Sequence, residues 1–564
     1  MALWSLYQKI FWNRRIFLDC FWKMQYTDLI NETFRFISSK LTTRRISMEK
    51  SAYLKEIDRI IKNGKYQDTW ESLSQYRIPE WYKDTKLGIF IHWGVYSVPA
   101  FGSEWYSRNM YIQGSPEYKH HIETYGPHKD FGYKDFIPMF KAEKFDPEAW
   151  ADLFQQAGAK YVVPVAEHHD GFQMYKSELS HWNAYEMGPK RDVLGELETA
   201  FEKRGMITGA SSHRVEHWFF MGHGKEFDSD IKDPMKCGDF YWPAEKEPES
   251  HHDLFSKPEP TREFLEDWLL RCCEIVDRYR PRIVYFDWWI QHHAVRPYLR
   301  KFAAYYYNRA LEWGEEVVIN YKHDAFDFGC AVVDIERGQF ADTQPFFWQT
   351  DTAIAKNSWC YTENNDFKKA KDILCDLVDI VSKNGTLLLN VGPKADGSFS
   401  EEDRQVLTEI GQWMQINGEA IYGSRPWRVA AEGPTKIQEG QFTDTLDKVF
   451  TKEDIRYTMN NGYLYAIVLN YSEGSSINLT SLAERDASHL PLFHGIIKDV
   501  KALGFDEQPS WKRDENGLHI HTDTRRPLFS ENFPGWWKSG ALSADCLSEE
   551  SGEQNKIFKP LLQI

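Results

Sequence analysis

The chain has 564 residues, enough for two or more domains, and 42% of them are hydrophobic, as in an ordinary globular protein with a sizeable core. Its net charge of −16 argues against nucleic acid or anionic membrane surfaces as partners. The eight cysteines show no Cys-x-x-Cys spacing, so reduced core thiols are expected, and the 15% aromatic content leans toward carbohydrate chemistry.

Residues 1–65 read as an N-terminal extension of uncertain status. Up to about Ser47 they are rich in Trp, Phe and Arg, without a clean apolar core or an Ala-x-Ala cleavage site. No run approaches the roughly 20 apolar residues of a membrane helix. A cytoplasmic protein is therefore expected, with Met48 as its initiator.

From about Lys86 to Gly423 strand and helix signals alternate, within a domain expected over 66–424. Leu87 to Trp93 is an apolar run ending in His92. Asp146-Pro147 starts a helix, with an N-cap carboxylate and proline at the first position. Tyr161-Val-Val-Pro-Val165 is the next strand, ending in Glu167-His168-His169-Asp170. A helix over 192–204 and a strand from Met206 follow. A long amphipathic helix, 261–279, leads into Ile283-Val284-Tyr285-Phe286-Asp287-Trp288-Trp289. A helix over 296–313, a strand at 316–320, a helix over 366–383, a strand at 386–392 and a helix over 400–417 complete the series. Such alternation predicts an α/β fold, a (β/α)8-like TIM barrel, and there is no Gly-rich dinucleotide turn. After Gly423 the pattern changes. Two strand-like runs flank Asn460-Asn461-Gly462, a hairpin signal, and no helix pattern follows. A C-terminal β-sandwich is expected over 425–528. Residues 529–564 read as an unstructured tail.

The segment ending in Asp287 carries most information. A carboxylate at the C-terminal end of a buried parallel strand lies on the catalytic face of a barrel. The flanking indoles suit a sugar, whose apolar faces stack on aromatic rings. The plainer alternative is that Asp287 caps a helix. Other polar residues also gather where strands end: His92, His168, His169, Asp170, Asn320 and Asn390. Two chemistries compete for this set. Clustered His and Asp could hold a metal, but the first strand lacks His-x-His, and adjacent His168 and His169 would point apart on extended backbone. Glycoside hydrolysis needs two carboxylates across the scissile bond. Glu336, in Asp334-Ile-Glu-Arg-Gly338, is the candidate partner of Asp287, although Arg337 beside it could mark a mere salt bridge.

A set of motifs in one order now becomes specific. Phe90-Ile-His92-Trp93-Gly94, Ser103-Glu104-Trp105-Tyr106, Glu167-His168-His169-Asp170-Gly171-Phe172, Tyr285-Phe286-Asp287, Asn390-Val-Gly392-Pro393 and Asn417-Gly418-Glu419-Ala420-Ile421-Tyr422 span about residues 66 to 430. Together they resemble the family 29 glycoside hydrolases, the α-L-fucosidases. The resemblance implies a barrel followed by a β-sandwich and a retaining exo-glycosidase with no metal and no cofactor. It implies Asp287 as nucleophile and Glu336 as acid/base. It implies His92, Glu104, Trp105, His168, His169, His213, Tyr285 and Lys322 as substrate-binding residues, with a fucosylated oligosaccharide or glycoconjugate as substrate. Departures concern fine contacts. A Tyr-Tyr-Ser strand end of some members is Ser211-Ser212-His213 here, and an arginine is replaced by Lys322, which lacks the guanidinium fork. The Glu that some members place later, after a Trp, is Gln349 here. Another exo-glycosidase, such as an α-L-galactosidase, and a silent fucose-binding lectin are the alternatives.

Overall fold

The computed structural model describes residues 50–446, 448–471, 476–484, 495–504, 509–521 and the backbone of 541–547. The expectation for residues 1–47, including Met48 as initiator, falls outside these residues, apart from a helix over 50–63 in a first compact unit ending at Asn63.

In the second unit, eight strands close a parallel barrel in sequence order: β1 (Leu87–Ile91), β2 (Tyr161–Glu167), β3 (Ile207–Ser212), β4 (Ile283–Phe286), β5 (Val318–Tyr321), β6 (Val332–Glu336), β7 (Trp348–Ala353) and β8 (Gly385–Val391). β8 closes on β1, with Phe90 opposite Asn390. Strands buried on both faces read as continuous apolar runs, which is why β1, β2, β4 and β8 were legible. The interior is filled by side chains such as Tyr82, Phe90, Val163, Tyr285 and Leu388.

Helices α1 (Pro147–Gln156), α2 (Val193–Glu202), α3 (Arg262–Tyr279) and α4 (Arg296–Trp313) follow β1 to β4. Their starts obey local chemistry. Asp146 accepts from the N–H groups of Glu148 and Ala149, and Thr261 from that of Phe264. α5 (Ala370–Ser382) and α6 (Glu401–Asn417) flank β8. Among the described residues no α-helix joins β5 to β6 or β6 to β7, so the barrel departs from strict (β/α)8 alternation there. β7, Trp-Gln-Thr-Asp-Thr-Ala, escaped sequence reading because its buried positions are polar.

The second domain is a sandwich. One sheet runs β13 (Ile496–Ala502), β16 (Ala541–Leu547), β11 (Tyr463–Val468), β10 (Ile455–Asn460) and β9 (Arg425–Glu432); the other runs β12 (Ser476–Leu479), β15 (Gly517–His521) and β14 (Ser510–Asp514). Trp427, Tyr457, Leu464, Val468, Ile477, Leu479, Leu518 and Ile520 share one core between them. Asn461 and Gly462 both have positive φ, 49° and 85°, as the β10–β11 hairpin turn requires. The unstructured tail is corrected at β16, which pairs with β11 and β13 inside the larger sheet. Its sequence, Ala-Leu-Ser-Ala-Asp-Cys-Leu, carries too few β-branched residues to announce a strand. The sandwich docks on α5, where buried Asp379 accepts from Arg456 and lies 2.5 Å from the Lys383 ammonium. No helix among the described residues is long and apolar enough to cross a membrane.

Candidate active site

The strand ends converge on one cavity of about 350 Å³ at the C-terminal mouth of the barrel. All ten residues singled out from the sequence line it: Asp287, Glu336, His92, Glu104, Trp105, His168, His169, His213, Tyr285 and Lys322. Parallel strands place their C-terminal ends at one rim, so residues hundreds apart in sequence meet.

Asp287 directly follows β4, and it caps no helix, because α4 starts only at Arg296. Its Oδ1 accepts from the Trp288 N–H at 2.9 Å and faces the Lys322 ammonium at 3.3 Å. Its Oδ2 lies 2.9 Å from His213 Nδ1 and 3.4 Å from His169 Nε2. Burial alone would raise the Asp287 pKa, but Lys322, His213 and His169 together hold it well below the usual carboxylate range.

Glu336 ends β6 with Oε2 at 2.9 Å from the same Lys322 ammonium. Burial raises its pKa to about 7, against the lowering effect of Lys322 and with help from the Asp287 and Asp351 charges. Two oxygens on one ammonium, at 3.3 and 2.9 Å, can be no further apart than the sum of those distances, about 6.2 Å. That bound on the two oxygens facing Lys322 leaves room for the roughly 5–5.5 Å of a retaining carboxyl pair.

Lys322 also lies 3.2 Å from Asp351 Oδ2 on β7, which accepts from the Tyr285 hydroxyl at 2.8 Å. Asp334, one turn of the pleat below Glu336, is pushed well up by burial and by Asp351. A buried ammonium costs several kcal/mol of desolvation. Three carboxylates offset that here, and they hold the Lys322 pKa well above its usual value despite burial.

The imidazoles divide by proton affinity. Burial lowers the His169 pKa, but Glu216 at 3.2 Å and Asp287 raise it to about 9, while burial pushes Glu216 up to about 8 against the lowering effect of His169. Its Nδ1 donates to the His213 carbonyl at 2.8 Å. Burial holds His92 and His168 neutral, far below their usual range. His92 Nδ1 pairs with Asn390 Oδ1 at 2.7 Å, whereas His168 Nδ1 has no hydrogen-bond partner among the described residues. Adjacent His168 and His169 were expected to point apart, yet both reach the cavity. β2 stops at Glu167, and the turn that follows, closed by Gly171 N–H on the His168 carbonyl at 3.1 Å, redirects them. Glu104 accepts from the Trp359 N–H at 3.0 Å. Glu167, at the end of β2, is taken by Arg214 and Arg271 at 2.8 and 2.9 Å.

Sequence reading missed Asp351, Glu216, Trp359, His252, His323, Gln441 and Phe442. Six of these line the cavity; Glu216 stands behind His169. Asp351 sits on the strand without an apolar run, and Glu216 on a short 3-10 turn after β3. No local signal marks either.

A parallel barrel whose mouth gathers two carboxylates of opposed proton affinity, neutral imidazoles and indoles is the architecture of a glycoside hydrolase. Comparison with known proteins narrows this. The Alpha-L-fucosidase family model matches residues 54–419, and that of the Alpha-L-fucosidase C-terminal domain matches 448–537. Human tissue alpha-L-fucosidase is 33% identical over 471 residues, covering 81% of this chain and 87% of that protein. Human plasma alpha-L-fucosidase is 32% identical over 478 residues, covering 81% and 88%. A crystal structure of Thermotoga maritima alpha-fucosidase in complex with a mechanism-based inhibitor is 28% identical with a TM-score of 0.64, covering 85% of this chain and 99% of that one. The chain belongs to the alpha-L-fucosidase family, the retaining glycoside hydrolases of family 29.

Proposed function

We propose that Asp287 and Glu336 are the nucleophile and the acid/base of a double displacement that removes terminal α-L-fucosyl units from oligosaccharides or glycoconjugates. One observation carries the assignment: two carboxyls share one ammonium while their environments push their pKa values apart. Asp287, ionised, attacks the anomeric carbon. Glu336, protonated near neutrality, gives its proton to the leaving oxygen. The ester removes the Asp287 charge, one cause of the raised Glu336 pKa, so Glu336 then acts more readily as the base toward water. His92 and His168, neutral, can donate to or accept from sugar hydroxyls, and the unpaired His168 Nδ1 suits such a partner. Trp105 offers an apolar face to the C5 methyl, the group that separates fucose from galactose. His213, Lys322 and Tyr285 act chiefly through the carboxylates they touch.

His92, His168 and His213 present ring nitrogens within 4.8 Å of one another, a spacing a metal could bridge. A metal ion there would stand beside the charged Lys322, so hydroxyl recognition is the better use of the cluster. Cys272, Cys273, Cys330, Cys360 and Cys375 are buried free thiols, which suits a reducing cytoplasmic setting.

The test is trapping. A 2-deoxy-2-fluoro-fucosyl fluoride should add one fluorofucosyl unit to the intact mass, and peptide mapping should find it on Asp287. Asp287→Ala should abolish turnover of aryl fucosides, and azide should restore it with formation of the β-fucosyl azide. Label on another residue, or an Asp287→Ala variant of near wild-type rate, refutes the nucleophile.

A further inference from the structure

The loop joining β9 to β10 reaches from the second domain to the barrel rim. Its attachment point is the run directly after Glu336. Gln339 and Gly440 exchange two backbone hydrogen bonds of 3.2 and 3.1 Å. The Thr443 and Asp444 N–H groups donate to the Arg337 carbonyl at 2.8 and 3.0 Å, and the Phe442 N–H donates to the Glu336 carbonyl at 3.0 Å. Position 338 admits only glycine, since a Cβ there would lie 1.8 Å from the Gly440 oxygen. The Arg337 guanidinium donates to the Ala355 and Lys356 carbonyls at 2.9 and 3.0 Å and pairs with Asp444 at 3.4 Å, where Lys368 also binds. The Glu-Arg-Gly run is thus a clamp as well as the carrier of a carboxylate.

The clamp brings Gln441 and Phe442 to the cavity wall. Phe442 has φ +54°, in the left-handed region that bulky side chains avoid, and 59% of it is exposed. A large ring held at a strained position on a cavity wall, outside any core, is a built surface rather than packing. Its backbone is bonded to the residue that meets the leaving oxygen, so it stands on the leaving-group side.

We propose that Phe442 and Gln441 form the subsite for the sugar ring to which fucose is attached. The phenyl ring stacks on the apolar face of that ring, and the Gln441 amide hydrogen-bonds a hydroxyl. The second domain thereby sets which glycans are cleaved. The subsite rests on the fucosidase reading and extends it to the aglycone.

The experiment compares two substrates that differ only in the leaving group. Methyl α-L-fucoside needs the same proton from Glu336 but places no ring in the subsite; a fucosyl disaccharide needs that proton and does. In Phe442→Ala the ratio of kcat/KM for disaccharide to that for methyl fucoside should fall about tenfold, the size of a lost aromatic contact. Phe442→Trp should restore the ratio, and inhibition by free L-fucose should not change. Equal losses on both substrates would mean that the loop only positions Glu336, and an unchanged ratio would mean no subsite; either overturns the proposal. Wild-type protein that leaves both fucosides intact would overturn the fucosidase reading as well, so the two failures are told apart.

Discussion

The Lys322 ammonium lies 2.9 Å from Glu336 Oε2, and 1% of its side chain is exposed. This cation lowers the proton affinity of Glu336, which burial raises, and it does the same for Asp287. It touches both at once, so one side chain acts on both proton affinities.

Removing it should be costly in two ways. Lys322→Met leaves Asp287, Glu336 and Asp351 buried without their common counter-ion, a loss of about 3–5 kcal/mol in stability by the usual cost of breaking a buried pair. Since Lys322 lowers both carboxyl pKa values, both limbs of the pH–kcat/KM profile should move to higher pH. Lys322→Arg should recover most of the stability. Thermal unfolding and the pH profile check this; limbs that stay in place refute the coupling.

Glu336 is a carboxyl whose pKa is raised from 4.5 to about 7. It is protonated, and competent as an acid, below about pH 7, and it loses that competence as pH rises through this value. For alkyl fucosides kcat/KM should fall on the basic side of about pH 7, and this limb should flatten in Glu336→Ala. That variant should lose roughly 100-fold or more on a glycan and far less in glycosylation by a fucoside of an acidic phenol, which needs no proton. Azide should rescue the activated substrate with retention. Equal losses on both leaving groups would move the role to another residue.

Chelators should leave activity unchanged. EDTA followed by assay on an aryl fucoside checks this, and inactivation reversed by zinc or manganese would revive a metal role for the His92, His168 and His213 cluster.

Truncation after residue 528 should destabilise the second domain. It removes β16, the strand between β11 and β13, and leaves two unpaired sheet edges. The unfolding midpoint should drop by more than about 4 °C, the shift of roughly 1 kcal/mol or more in a domain of this size. An unchanged midpoint would show that β16 contributes nothing to stability.

The sequence announced most of the barrel strands and the hairpin by pattern, and with the family resemblance it named the ten cavity residues. Buried parallel strands spell themselves as apolar runs, helix caps as Asp-Pro or Thr, and polar residues at strand ends stand out against the runs before them. Tertiary structure alone decided what the ten residues do to one another. Lys322, read as a sugar contact, faces three carboxylates, and His213 faces Asp287. Glu216, Asp351 and Phe442 carry no local pattern, because their roles depend on neighbours far along the chain. β16 was hidden for a related reason: a strand held on both sides by partners needs little propensity of its own. Periodicity records which face a residue turns inward, but a pKa or a subsite is set by the charges and rings that meet there, and only the closed barrel with its docked loop brings them together.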